Sequence, residues 1–201
     1  GESHSLVSHS LCLPGTKERF RCKAMLIKGC MQWHVGSPNQ NQYKYKFEQI
    51  FKSLPIASHV LVTIGEIDCR IDSGIMKYHA KNDKKDIKKI VKDTVTRFIN
   101  CLSVNNSLMK HKIIIQGVPC PSFTKNKPVE KEPGQLAKLI SQFNATLENQ
   151  AKRAGFDFMD VHAITDRGDG YSNGIWHIDS IHLSPDGFLE AWKMHISRGI
   201  D

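Results

Sequence analysis

The sequence predicts an α/β protein: a three-layer α/β/α sandwich around a parallel, flavodoxin-like central sheet. Apolar, β-branched runs closed by glycine recur along the chain, most clearly His59-Val60-Leu61-Val62-Thr63-Ile64-Gly65. Between them lie longer segments whose apolar residues recur three and four apart, the helical period. Strands that alternate with helices in this way form a parallel sheet with crossovers on both faces. A chain of 201 residues, 40% of them apolar, is enough for one such domain, residues 1–201.

Each element follows from its own pattern. Residues 1–12 begin with small polar side chains and run into Leu6, Val7 and Leu11, as in a tight turn entering a short helix. A strand is expected before this turn. It is missing from the chain, which starts at Gly1 and reads as a piece of a longer protein. Ala24-Met25-Leu26-Ile27-Lys28-Gly29 reads as a buried strand ended by glycine. After the polar stretch 36–45, Phe47, Ile50, Phe51 and Leu54 mark a helix stopped by Pro55. Ile87, Ile90, Val91, Val95, Phe98, Ile99 and Leu102 give a helix over 83–103, and residues 112–118 another buried strand. Residues 119–133 carry four prolines and several lysines and read as a loop that rims or covers the sheet. Leu136, Leu139, Ile140, Phe143 and Leu147 predict a helix over 134–154. Residues 156–161 form a short strand and 165–178 a Gly- and Asp-rich loop. Phe188, Leu189, Trp192 and Ile196 mark the last helix.

The net charge of +8 is concentrated in residues 81–92, where Lys81, Lys84, Lys85, Lys88, Lys89 and Lys92 cluster. Interleaved Asp83, Asp86 and Asp93 make this a solvated helix face, with an anionic-ligand surface as the sharper alternative. No aromatic side chain is interleaved, which argues against nucleic acid as a partner. No run of apolar residues is long enough to span a membrane. The six cysteines are too scattered for a metal knuckle, and their even number permits three disulfides. With the sequons Asn105-Asn106-Ser107 and Asn144-Ala145-Thr146 they tilt the expected setting toward the secretory pathway.

The stretch Asp179-Ser180-Ile181-His182-Leu183-Ser184-Pro185-Asp186-Gly187 carries the chemistry. Ser184 is placed to cap a helix whose first residue is Pro185. Asp179 and His182 then share a taut loop. An Asp that accepts one ring N–H of His182 fixes its tautomer and leaves the other nitrogen as a base. The nucleophile best suited to that base is Ser3. In a parallel sheet, ligands bind beyond the C-terminal strand ends. Ser3, Gly29, Glu66 to Arg70, Pro119 and the Asp179–His182 pair all fall there. His177 with Asp179 lacks a third ligand for a metal, so no metal and no cofactor is expected. The histidines other than His182, His4 among them, read as surface or packing residues. Trp192 reads as core, and Trp33 and Trp176 as residues near the site loops.

These residues, in this order, resemble the SGNH/GDSL hydrolase family. Gly1-Glu2-Ser3 resembles its G-D-S block, Gly29 its oxyanion glycine, Gly65-Glu66-Ile67-Asp68 its third block, and Asp179-x-x-His182 its last. Gly-Glu-Ile-Asp-Cys-Arg is similar to a subgroup found alongside polysaccharide functions. The resemblance implies a Ser3–His182–Asp179 triad with the backbone N–H groups of Ser3 and Gly29 as oxyanion donors. Glu66, Asp68 and Arg70 then bind substrate or brace the site. It implies an acyl substrate, with an O-acetylated carbohydrate as the leading reading and an inactive glycan-binding module or a lipid esterase as alternatives. Two positions depart from the family pattern. Glu2 stands where Asp is usual, and Ile67 stands where the family has its oxyanion Asn. Arg70 could replace that donor, or pair with Glu66 or Asp68.

Overall fold

The computed structural model describes residues 1–15, 19–82, 85–122 and 134–198. A 3-10 turn over Ser3–Ser8 precedes a small antiparallel hairpin of β1 (Cys12–Pro14) and β2 (Arg19–Arg21). Helices α1 (Gln32–Val35) and α2 (Gln42–Ser53) lead to β3 (His59–Val62). Then α3 (Glu66–Cys69), α4 (Gly74–Lys81) and α5 (Ile87–Met109) lead to β4 (Lys112–Gln116). Helix α6 (Gln135–Arg153) leads to β5 (Asp157–Met159), followed by α7 (Val161–Thr165) and α8 (Pro185–Ser197). Strands β3, β4 and β5 form a parallel sheet in that order, with Leu61 opposite Ile114 and Ile115 opposite Phe158.

Both faces of this sheet are covered, as the apolar strands require. Ile113, Ile115 and Phe158 point into a core shared with α1, α2, α5 and α6. Their alternate neighbours Ile114 and Met159 point the other way, into a second core with Leu13, Phe188 and Trp192. Phe98, Phe143 and Phe188 are fully buried. Truncating any of them to Ala would cost about 3–5 kcal/mol. Trp192 lies in the core, and its indole Nε1 also donates to the Pro14 carbonyl (2.6 Å), tying the hairpin to α8.

Several boundaries differ from the sequence expectation. Residues 24–29 are not a strand. Among the described residues its backbone pairs beyond its own turn with Gly1, whose nitrogen donates to the Met25 carbonyl and whose carbonyl accepts from Ile27 N, and Ala24 N donates to His9 Nδ1, too little for a ladder. Helix α5 starts at Ile87, because the Asp86 carboxylate caps it by accepting from Lys88 N, and it runs on to a left-handed Lys110. Residues 156–161 divide into β5 and the start of α7, since the Asp160 side chain accepts from Ala163 N and caps that helix. Residues 123–133 of the expected rim loop, and Asp83 and Lys84 of the lysine cluster, lie outside the described residues. The six cysteines are all unbonded. Among the described residues no helix is long and apolar enough to cross a membrane.

Candidate active site

The nucleophile turn is anchored to the sheet by backbone bonds. Past the end of β3, the Thr63 carbonyl accepts from Glu2 N (3.0 Å). Ser3 then opens the 3-10 turn, and the Glu2 carboxylate accepts from His4 N. From the other end of the chain, Ser184 Oγ accepts from Gly187 N (3.0 Å) with Pro185 at the start of α8. This cap holds the loop before it in place. Asp179 Oδ1 accepts from the backbone N–H of both Ile181 and His182 (2.8 and 2.7 Å), so the loop closes on the carboxylate.

These two pieces meet. Ser3 Oγ lies 2.9 Å from His182 Nε2, and His182 Nδ1 lies 2.7 Å from Asp179 Oδ2. Slight burial pushes the Asp179 carboxyl up. The N–H donors of His182 and Ile181 and the imidazole outweigh it, holding the group at about 2. It is therefore anionic at any working pH, and it favours the His182 tautomer with a proton on Nδ1.

Ser3 has a second neighbour. Its Oγ is 2.8 Å from Glu2 Oε2. One hydroxyl proton serves two acceptors. If it goes to Glu2, His182 must present an N–H to Oγ; if it goes to His182, the serine is poised for deprotonation.

Glu2 is 1% exposed and His4 3%. Glu2 Oε1 contacts His4 Nδ1 at 2.7 Å, and His4 Nε2 contacts the Ile181 carbonyl at 2.8 Å. An imidazole facing acceptors on both nitrogens is best served by the doubly protonated form. Burial alone would depress His4, but the Glu2 carboxylate and the Ile181 carbonyl override it and hold His4 above its usual value. Burial would likewise raise Glu2. The His4 ring, with Ser3, overrides it and lowers the carboxyl. The His4 ring also lies 4.6 Å from the His182 ring, centroid to centroid. Far from being a bystander, His4 bridges the nucleophile turn and the Asp179 loop. The only sequence signal was an acid two residues before it at a turn.

Gly29 has φ +73° and sits in a turn just after Ile27, which donates to the Gly1 carbonyl. Neither Gly29 N–H nor Ser3 N–H has an acceptor among the described residues. Arg70 grips Glu66 in a fork, with Nε 2.9 Å from both carboxylate oxygens and a terminal nitrogen 2.6 Å from Oε2. Asp68 is fully buried and accepts from Gln32 N (2.7 Å) and Trp33 N (3.1 Å), the first N–H groups of α1. Burial pushes its carboxyl up to about 7 against those two bonds. Ile67 is half-buried and offers no donor. Trp33 is 53% exposed, whereas Trp176 is partly buried.

A serine, an imidazole and a carboxylate thus lie each within hydrogen-bond reach of the next, beyond the C-terminal ends of a parallel sheet. No protein-family model matches the chain, and no curated protein sequence does. Solved structures match it in fold. A GDSL-like lipase from Bacteroides thetaiotaomicron is 16% identical, with a TM-score of 0.51 over 88% of this chain and 74% of that one. An acetylxylan esterase from Geobacillus stearothermophilus, solved as a catalytic mutant, is 15% identical, with a TM-score of 0.54 over 90% and 75%. A phospholipase A1 from Streptomyces albidoflavus is 14% identical, with a TM-score of 0.51 over 86% and 79%. The chain therefore has the α/β fold of the SGNH/GDSL hydrolases.

Proposed function

We propose that the chain belongs to the SGNH/GDSL family and is a serine esterase. The observation that carries this reading is the 2.9 and 2.7 Å relay from Ser3 through His182 to Asp179. In the proposed reaction Ser3 Oγ attacks an ester carbonyl as His182 Nε2 takes its proton. Asp179 stabilises the imidazolium, which then returns the proton to the leaving alcohol. The unpaired N–H groups of Ser3 and Gly29 receive the oxyanion. Water, or a sugar hydroxyl in a transferase, then releases the acyl group. Glu66 and Arg70 neutralise each other, so in this reading they and Asp68 brace the site rather than touch the acyl group.

For the substrate we propose O-acetyl groups on carbohydrate. The Gly65-to-Arg70 block supports this through its resemblance to a subgroup associated with polysaccharide. The exposed Trp33 could stack on a sugar ring, and an acetylxylan esterase with the same fold is compatible with it. A second reading is favoured by two specific observations. Ile67 withholds a donor worth about 2.7–4 kcal/mol of transition-state stabilisation. Glu2 competes for the serine proton at 2.8 Å. A catalytically weak glycan-binding module is therefore the alternative. Hydrolysis of p-nitrophenyl acetate and acetylated xylo-oligosaccharide by wild type, Ser3→Ala and His182→Ala decides between them. Activity lost in both variants supports the esterase, and equal rates in all three end it.

A further inference from the structure

A cavity of about 360 Å³ lies between α1, α4 and α5, and neither Ser3 nor His182 lines it. Apolar Met31, Trp33, Ile75 and Ile90 line it, the two isoleucines buried and Trp33 half-exposed, together with the buried Asp68. Its walls are basic. Lys77 and Lys81 lie four apart on α4, and Lys89 and Arg97 lie two turns apart on α5, so each pair projects from one helix face. None of these four cations has an ion-pair partner among the described residues, although Asp93 lies between the α5 pair. Lys85, at the same rim, donates to the Tyr78 hydroxyl (2.6 Å). The cluster that reads in sequence as a solvated helix face thus also frames a hollow. A simple solvated face has no apolar floor beneath it.

We propose that this cavity is an accessory binding site for an organic anion with an apolar or planar body. The sulfate, sulfonate or carboxylate of such a ligand would sit among Lys77, Lys81, Lys89 and Arg97. Its hydrocarbon or ring portion would lie against Trp33, Ile75 and Ile90. The volume is at the lower end of the range for small-molecule sites, about 300–1,000 Å³, which sets the ligand at the size of a substituted naphthalene or a medium alkyl chain. A wholly apolar ligand would leave the basic rim unused, and an inorganic anion would leave the floor in water. The combination selects an amphiphile. The cavity shares Trp33 and Asp68 with the surroundings of the proposed esterase site, but neither Ser3 nor His182 lines it, and anion binding there does not require acyl transfer.

The test is a fluorescence titration of the full chain with anilinonaphthalene sulfonate, which joins a sulfonate to flat rings. The uncharged N-phenylnaphthylamine is the control, and n-octyl sulfate is the competitor. We expect saturation at one site, displacement by octyl sulfate, and weaker binding of the uncharged analogue. In K89Q/R97Q, binding of the sulfonate should fall about tenfold, the scale of two charge-assisted contacts. Binding of the uncharged analogue should not change. Ser3→Ala should bind the sulfonate as wild type does, so a failed esterase reading would leave this result intact. Near-UV circular dichroism on each variant confirms native packing, and K77Q/K81Q serves as a second variant on the other helix. Non-saturating binding, equal affinity for the uncharged analogue, or both charge variants binding as wild type would overturn the proposal.

Discussion

Replacing His4 by Phe tests the most unusual feature of the site, a buried ion pair beside the nucleophile. The substitution fills much of the ring's space. It leaves the Glu2 carboxylate, 1% exposed, without its cation, and the Ile181 carbonyl without its donor. Removing one partner of a buried pair costs about 3–5 kcal/mol. That is a large share of the 5–15 kcal/mol typical of a domain. The sign of the pH dependence follows from the two shifts. Glu2 is lowered, so its contribution is present above its unfolded value and lost as pH falls through the folded one. His4 is raised, so its contribution is complete below its unfolded value and lost as pH rises through the folded one. The pair therefore stabilises most between the ordinary Glu and His values, 4.5 and 6.5. In His4→Phe the uncompensated Glu2 takes up a proton as pH falls, so the penalty shrinks in acid. Urea unfolding at pH 4.5 and 6.5 should show a loss of about 3–5 kcal/mol at the higher pH and roughly half that at the lower. Adding Glu2→Gln should recover about 1–2 kcal/mol of the loss, because no buried charge then remains. A penalty under about 1 kcal/mol at pH 6.5, or one that does not change with pH, would refute the charged pair.

Asp179→Asn keeps an oxygen for the Ile181 and His182 N–H groups but turns an amide N–H toward His182 Nδ1. Esterase kcat should fall on the order of 10³–10⁴-fold with little change in Tm. Ile67→Asn places a donor in the third block, and kcat/KM for p-nitrophenyl acetate should rise by up to about 10²-fold. Unchanged kinetics would show that this position does not face the oxyanion. Asp68 titrates at about 7 in the folded state, above its ordinary 3.8, so its contribution to stability falls as pH rises between those values. Asp68→Asn should flatten that part of the stability–pH curve. It should also cost about 1–3 kcal/mol, since one of the two α1 N–H groups would face an amide nitrogen.

What the sequence revealed divides along physical lines. Local rules were enough for the last block. Ser184 and Pro185 define a helix start by themselves, and Asp179 stands at the spacing a loop needs to reach the imidazole it precedes. Helix α6 was legible because Leu136, Leu139, Ile140, Phe143 and Leu147 repeat with the helical period. Residues 24–29 misled, since an apolar run becomes a strand only where a neighbour supplies a ladder, and among the described residues Gly1 gives it just two backbone bonds. The role of His4 was illegible for a related reason, and the lysine cluster stood open between a solvated face and an anionic-ligand surface. His4 acquires its meaning from the Ile181 carbonyl, 177 residues away. The cavity that the lysine cluster borders also needs Met31 and Trp33 from the α1 region, some fifty residues earlier in the chain. Arg70 was open between two partners in sequence, and i,i+4 geometry on a helical turn brings it to Glu66.

The Ser3–His182 contact spans 179 positions of the chain. Closing so long a span carries an entropic cost that local helices never meet. In refolding, far-ultraviolet ellipticity should recover early, as the long helices condense, while the hydroxyl and the imidazole find each other among the final events. The Ser3–His182 contact is thus a built-in clock: under the proposed function, turnover would report completion of the topology, and a chain stalled earlier would be silent however helical it looks.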